Sequence, residues 1–264
     1  MRQHVPDVVA VASGKGGVGK STVTVNLALA LRDRGVRTGI LDADLHGPDI
    51  PRMLNLTRHK EARSITLWTN PKVAGAADRP KPIERYGVRV VSTQLLLGER
   101  QAFAPEAGFG GMLLKRFLDD VDWGDTQLLV VDLPPGTGDV LQQLAGLRAL
   151  AGALVVVTPQ DVAHLDARKV VSLLESRSIP VIGGVENMAP MLCPHCGDPV
   201  ELFPPTDPSR TIWNDGVARL AAIPFDPALG RAEQRGVPVV EGEPDSAPAR
   251  AFAALADTVA TRVL

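Results

Sequence analysis

Cysteine is nearly absent from this 264-residue chain, and the two it has, Cys193 and Cys196, stand three positions apart. A pair that close cannot frame a disulfide scaffold for a chain of this size. The expectation is a reducing compartment and thiols kept for another purpose. Charge of one sign is lacking too: 28 Lys and Arg against 30 Asp and Glu leave a formal net charge of −2. That balance argues against a broad basic face for nucleic acid or anionic lipid. No apolar run approaches the roughly 18 residues of a membrane span. The best of them, Ala153–Val157, has the length of a buried strand. Met1 to Asp7 carry no apolar signal-peptide core, and no internal repeat or linker divides the chain. The expectation is one domain over residues 1–264, cytoplasmic, with neither nucleic acid nor membrane as partner.

What the chain does have is a steady alternation. Short runs rich in Val, Leu and Ile occur at Val8–Ala12, Thr38–Leu41, Val88–Val91, Leu128–Val131, Leu154–Val157, Val181–Val185 and Leu220–Ile223. Between most of them, apolar residues recur at three- and four-residue spacing, as in Thr22–Arg32, Leu113–Leu118, Val140–Leu150 and Asp166–Leu174. Strands apolar on both faces, alternating with helices, predict an α/β fold: a doubly wound, mostly parallel sheet flanked by helices. Ser246–Val263 places Phe252, Leu255, Ala256, Val259 and Val263 on one helical face and reads as a closing helix. Two regions break the pattern. About 57–86 is polar, with Pro71, Pro80 and Pro82, and reads as an insertion over the sheet. About 189–208 holds several prolines and both cysteines and reads as an irregular loop.

The first strand runs directly into Gly14-Lys15-Gly16-Gly17-Val18-Gly19-Lys20-Ser21 and then Thr22 and a helix, which is G-x-x-x-x-G-K-[ST] between a strand and a helix. The glycines let successive backbone N–H groups turn inward around phosphate oxygens, and the helix dipole adds about half a positive charge there. Lys20 would reach the β and γ phosphates of ATP, and the Ser21 hydroxyl would ligate Mg²⁺. Only seven lysines are present, and two lie in this loop. The early Lys15 resembles that of the deviant Walker A ATPases, which implies a lysine reaching the nucleotide of a partner subunit. After the second strand come Asp42 and Asp44, where carboxylates would hold Mg²⁺ through water and orient the attacking water. A fourth strand delivers Asp132, followed by Leu-Pro-Pro-Gly-Thr-Gly-Asp, whose Gly136 N–H is suited to the γ-phosphate. Lys15, Lys20, Asp44 and Asp132 make up the expected catalytic set of an ATP hydrolase, a slow one.

Cys193-Pro194-His195-Cys196-Gly197 is a metal knuckle by spacing. Cluster and tetrahedral zinc sites take four ligands, so one chain supplies half and a second copy would complete the set. Three readings stay open on the residues alone: half of an iron–sulfur site, half of a zinc site, or a redox dithiol, which would want a helix N-terminus after a strand. His195 reads as a surface residue, not a ligand.

In order along the chain stand Ala12–Thr22, Leu41–Pro48 with Ile50–Leu54, Asp122-Trp123-Gly124, Asp132–Asp139, Thr158–Asp161, Val185–Met188 and Cys193–Gly197. This series resembles the Mrp/ApbC family of iron–sulfur cluster carrier ATPases, from about Val8 to Arg250. The resemblance implies a homodimer, ATP hydrolysis, a [4Fe–4S] cluster bridged by the two C-x-x-C pairs, and delivery to apo iron–sulfur proteins. It also implies Asn187 near adenine, with Pro224-Phe225-Asp226 on the far side. The chain departs from the family at Phe103–Met112, where an Arg-Gly-Pro-Met element is usual. The alternative is a partition-like ATPase switch whose knuckle holds zinc as a staple.

Overall fold

The computed structural model describes residues 6–44, 47–56, 79–95, 109–147, 150–193 and 195–264. Each short apolar run forms a strand: β1 (Asp7–Ser13), β2 (Thr38–Asp42), β4 (Val88–Ser92), β5 (Leu128–Asp132), β6 (Gly152–Val157), β7 (Val181–Ala189) and β10 (Arg219–Pro224). With β3 (Ile83–Arg85) they make one sheet in the order β10-β7-β6-β1-β5-β2-β4-β3. All neighbours are parallel except β3 and β4. The phosphate-loop strand β1 therefore lies between β5 and β6, in the middle of the sheet.

Side-chain alternation explains the two-sided burial. Val9, Val11, Val130, Leu154 and Val156 face one core layer, with Leu27 and Leu31 of α1 (Lys20–Asp33) and Phe252, Leu255 and Val259 of α8 (Ala247–Val263). Val8, Ala10, Leu129, Val131, Val155 and Val157 face the other. That second layer is closed by α3 (Phe109–Asp119), α4 (Asp139–Leu147) and α5 (Asp161–Ser176) through Phe117, Leu144, Val170 and Leu174. The doubly wound parallel sheet expected from the sequence is thus the observed one. Three further α-helices, α2 (Ile50–Met53), α6 (Pro227–Arg235) and α7 (Val239–Gly242), lie among the described residues. Among the described residues no helix is long and apolar enough to cross a membrane.

The two irregular regions hold more order than their composition suggests. Most of 57–86 lies outside the described residues, as do 96–108, which include most of the Phe103–Met112 stretch that departs from the family; its end, from Phe109, begins α3. The end of the insertion, however, is β3, an antiparallel edge strand turning through Tyr86 and Gly87 at φ of 49° and 69°. Three residues are too few to reveal a strand period. Within 189–208, the expected irregular loop contains the antiparallel hairpin of β8 (Met191–Leu192) and β9 (Pro199–Val200).

Phe252 is fully buried where α8 closes the first layer. Phe252→Ala should cost about 3–5 kcal/mol of stability by cavity formation, read as a lower urea midpoint at unchanged slope.

Candidate functional site

Backbone geometry makes the loop after β1. Gly17 and Gly19 have φ of 77° and 82°, a region glycine enters without steric cost. Gly14 is required for space: a Cβ there would lie 2.3 Å from the carbonyl carbon of Asp166 and 2.4 Å from the nitrogen of Ala167, both α5 backbone. The loop and the first turn of α1 open onto a cleft of about 860 Å³, lined by residues 15–22, Asp44, Gly47, Asp49, Arg52, Met53, Asn55, Pro135 and residues 233–236. A helix N-terminus at the floor of such a cleft is an anion site, and the volume suits a small-molecule ligand.

Under that floor lies one buried carboxylate. Asp132 at the end of β5 accepts from Lys20 Nζ at 2.9 Å, Ser21 Oγ at 2.6 Å and Thr24 Oγ1 at 2.9 Å. The parallel register sets Asp42 of β2 beside it. Asp42 Oδ2 accepts from Ser92 Oγ at 2.8 Å, and its Oδ1 accepts from the Asp44 N–H at 3.2 Å. Both carboxylates are fully buried, whereas Asp44 lines the cleft, 3.7 Å from Lys20 Nζ. Burial first, and the Asp132 charge second, push the Asp42 carboxyl well above the ordinary carboxylate range. Asp132 is raised too, by burial, against the opposing pull of Lys20 and its hydroxyl donors. The Ser21 hydroxyl and the Asp132 carboxylate it donates to are oxygen donors of the kind a hard divalent cation such as Mg²⁺ takes.

Three expected residues have partners that their motifs do not announce. Lys15 Nζ donates to Gln160 Oε1 of its own chain at 2.9 Å, where Thr158 Oγ1 also donates, at 3.2 Å. The Gly136 N–H, suited by sequence to the γ-phosphate, donates to the Ser13 carbonyl at 2.7 Å. Asn187 is buried behind the loop: its Nδ2 donates to the Val18 carbonyl at 2.9 Å, and its Oδ1 is buried without a partner among the described residues. A Cβ on Gly19 would come within 2.1 Å of that Nδ2. Asn187 thus braces the phosphate loop, and neither it nor Phe225 lines the cleft.

The cysteines occupy the tip of the β8–β9 hairpin, which follows the C-terminal end of β7 and so stands at the same sheet edge as the phosphate loop. The Cys193 N–H donates to the Asp198 carbonyl and the Gly197 N–H to the Cys193 carbonyl, at 2.8 and 2.9 Å, with Gly197 at φ 77°. Cys193 is half-buried, Cys196 exposed, and both are free thiols. Hydrogen bonds from the Cys196 and His195 backbone, then from the Cys196 side chain, pull the Cys193 thiol below its ordinary value. Among the described residues no three His, Cys, Asp or Glu side chains gather around a metal position. The tip is a hairpin and not a helix N-terminus, which disfavours the redox-dithiol reading.

The profile of ParA, the NUBPL iron-transfer P-loop NTPases, matches residues 4–260. The chain belongs to the NUBPL iron-transfer P-loop NTPase family. It is 39% identical over 264 residues, 98% of this chain and 80% of the relative, to the iron-sulfur protein required for NADH dehydrogenase, mitochondrial, of Arabidopsis thaliana. It is 40% identical over 261 residues, 97% of this chain and 68% of the relative, to the iron-sulfur cluster carrier protein of Aquifex aeolicus. A nucleotide-binding protein of Archaeoglobus fulgidus, solved with ADP, superposes with TM-score 0.70 at 33% identity over 88% of this chain and 87% of that one. The cell division ATPase MinD of Pyrococcus furiosus shares the fold, with TM-score 0.68 at 23% identity over 97% and 99%. The motif resemblance to cluster carriers is borne out at the level of the family, and hydrolysis of a nucleoside triphosphate is the chemistry its P-loop serves.

For this member of the NUBPL family, motif reading missed one wall of the cleft. Glu233, Gln234, Arg235 and Gly236 end α6, and Gly236 at φ 65° approaches Asn55 so closely that a Cβ would lie 2.7 Å from the Asn55 Cβ. The signal was present: Asp226 caps the helix by accepting from the Ala228 N–H at 2.8 Å, Pro227 follows, and Gly236 closes it.

Because the folded chain holds a proton on Asp42 where the unfolded chain has released it, stability falls as pH rises from about 3.9 through the raised value. Asp42→Asn removes that slope. The variant should be more stable than wild type at neutral pH, on the order of 1–3 kcal/mol. The two urea midpoints should converge toward acid pH.

Proposed function

We propose that this chain is a cytoplasmic, homodimeric ATPase that carries a [4Fe–4S] cluster and delivers it to apo iron–sulfur proteins. The observation that carries the reading is the hairpin tip. It offers two free thiols, one with a lowered pKa, at the sheet edge that also holds the phosphate loop, in a chain of an iron-transfer family. Two such tips supply the four thiolates of a cubane cluster. Two ligands per chain leave such a cargo accessible and readily surrendered, which suits a carrier more than an electron-transfer protein.

In this reading Lys20 moves from Asp132 to the β and γ phosphates of ATP, while residues 14–19 wrap them. Asp44, at the cleft wall, orients the attacking water. Ser21, with Asp132 and Asp42 behind it, would hold Mg²⁺, which supplies charge neutralisation at the bridging phosphates. Lys15 leaves Gln160 for the nucleotide of the second copy, so that ATP joins the two chains and brings their Cys193 and Cys196 pairs together. Asn187 keeps the loop in shape through its bond to the Val18 carbonyl.

Anaerobic reconstitution with iron and sulfide tests the reading. The expected product holds about four iron and four sulfide per dimer. Its visible thiolate-to-iron absorption should be lost in Cys193→Ser. Stoichiometric zinc that iron does not displace, with ATP hydrolysis unchanged, would instead make the knuckle a structural staple of a partition-like switch. Lys20→Ala separates the two halves of the function. It should reduce ATP hydrolysis by about 10²-fold or more, the scale of losing a preorganised charge at the transition state. Cluster loading in that variant should persist.

A further inference from the structure

Helix α6 touches both halves of the machinery. At its C-terminal end Glu233, an exposed carboxylate lining the cleft, accepts from Thr22 Oγ1 at 2.5 Å. Thr22 follows Ser21 in the first turn of α1, where the helix N-terminus favours an anion. Glu233 is therefore an internal anion on the phosphate site. At the other end, the residue before the Asp226 cap, Phe225, donates its N–H to the carbonyl of Ala189 at 2.9 Å. Ala189 ends β7, and the chain runs from it through β8 to Cys193. Nine helical residues span about 13 Å between these contacts. Beyond Glu233, Gly236 in the left-handed region packs on Asn55, and its carbonyl accepts from Tyr86 Oη at 3.3 Å, which fixes that corner as a pivot.

We propose that Glu233 is a positioning residue: a latch on Thr22 that the phosphates of a bound nucleotide displace, turning α6 about Gly236 and moving the Phe225–Ala189 junction that carries the cysteine hairpin. Two anions cannot share the Thr22 hydroxyl without repulsion, so nucleotide and latched Glu233 exclude each other. The displaced element is a rigid helix with discrete contacts at both ends, so a local exchange of anions becomes a shift of the hairpin base. The proposal gives the carrier reading above its route from nucleotide to thiolates, and it is testable without any cluster.

Cys193 and Cys196 are the only thiols of the chain, so their alkylation reports the hairpin alone. The full-length chain, unloaded and reduced, is alkylated with and without saturating ADP, which removes hydrolysis from the experiment. In wild type ADP should change the rate at least about fivefold, the low end of couplings between sites. In Glu233→Ala the rate without ADP should match that of wild type with ADP, and ADP should bind more tightly because no latch competes. Amide exchange at Phe225 should change on ADP binding in wild type. Weaker ADP binding in Glu233→Ala would make the carboxylate a ligand of the nucleotide and overturn the latch. A full ADP response in that variant, or wild-type thiols and a Phe225 amide indifferent to bound ADP, would overturn it as well. None of these outcomes touches cluster loading, which is measured separately, so the latch and the carrier reading fail independently.

Discussion

The Asp132 carboxylate sits at the end of the central strand β5 with no access to water, and three donors from the first two turns of α1 close around it. A buried carboxylate is tolerable only when its lone pairs are engaged. Lys20, Ser21 and Thr24 do this, and in doing so they fix the rotation of α1 over the sheet. The position of that helix sets the phosphate loop in front of it and the cleft above it. Asp42 bears the electrostatic cost of the arrangement, since two buried carboxylates in register cannot both ionise freely. The pair is an electrostatically strained element of the core at neutral pH, directly under the phosphate loop.

How much of this was legible in the sequence depends on the range of each signal. The sheet strands were legible because a strand covered on both faces must be apolar throughout, as Leu128–Val131 and Leu154–Val157 are. The phosphate loop was legible because its requirements are local: φ above zero at Gly17 and Gly19, and a lysine and a hydroxyl at the helix start. The neighbours of Lys15, Thr22 and Asn187 were not legible. Their partners lie 145, 211 and 169 residues away, and no local pattern encodes such pairings. The contact of Asn187 with Val18 follows from the place of β7 beside β6 in the sheet, which brings that side chain to the phosphate loop. β3 escaped notice because three residues in a proline-bearing stretch have no period, and α6 because its apolar content is low although both its caps were in plain view.

The hairpin that carries the thiols is small, with two residues per strand, and its geometry comes from backbone hydrogen bonds within the knuckle and not from a core. Such a tip has little packing to hold it, so its position depends on its base, which is Ala189 and the neighbouring β10. A weakly packed element is a natural one to move, since local opening costs far less than unfolding the sheet behind it. The same feature that leaves two thiols accessible therefore leaves them responsive to anything that shifts β7 or the segment after β10.

A common feature of the cleft ties these parts together. Four of the groups that a triphosphate would recruit are engaged by acceptors of the chain itself: Lys15 by Gln160, Lys20 by Asp132, Thr22 by Glu233, the Gly136 N–H by Ser13. Exchanging one hydrogen bond for another yields a net of only about 1 kcal/mol. At these four groups the gain in affinity is then a small difference between contacts made and contacts broken. What the exchange does produce is displacement, because each released acceptor sits on a different element: Gln160 before α5, Asp132 on β5, Glu233 on α6, Ser13 on β1. A site satisfied in this way converts ligand recognition into movement of several elements at once. A carrier that must respond to its nucleotide needs that conversion more than it needs tight binding.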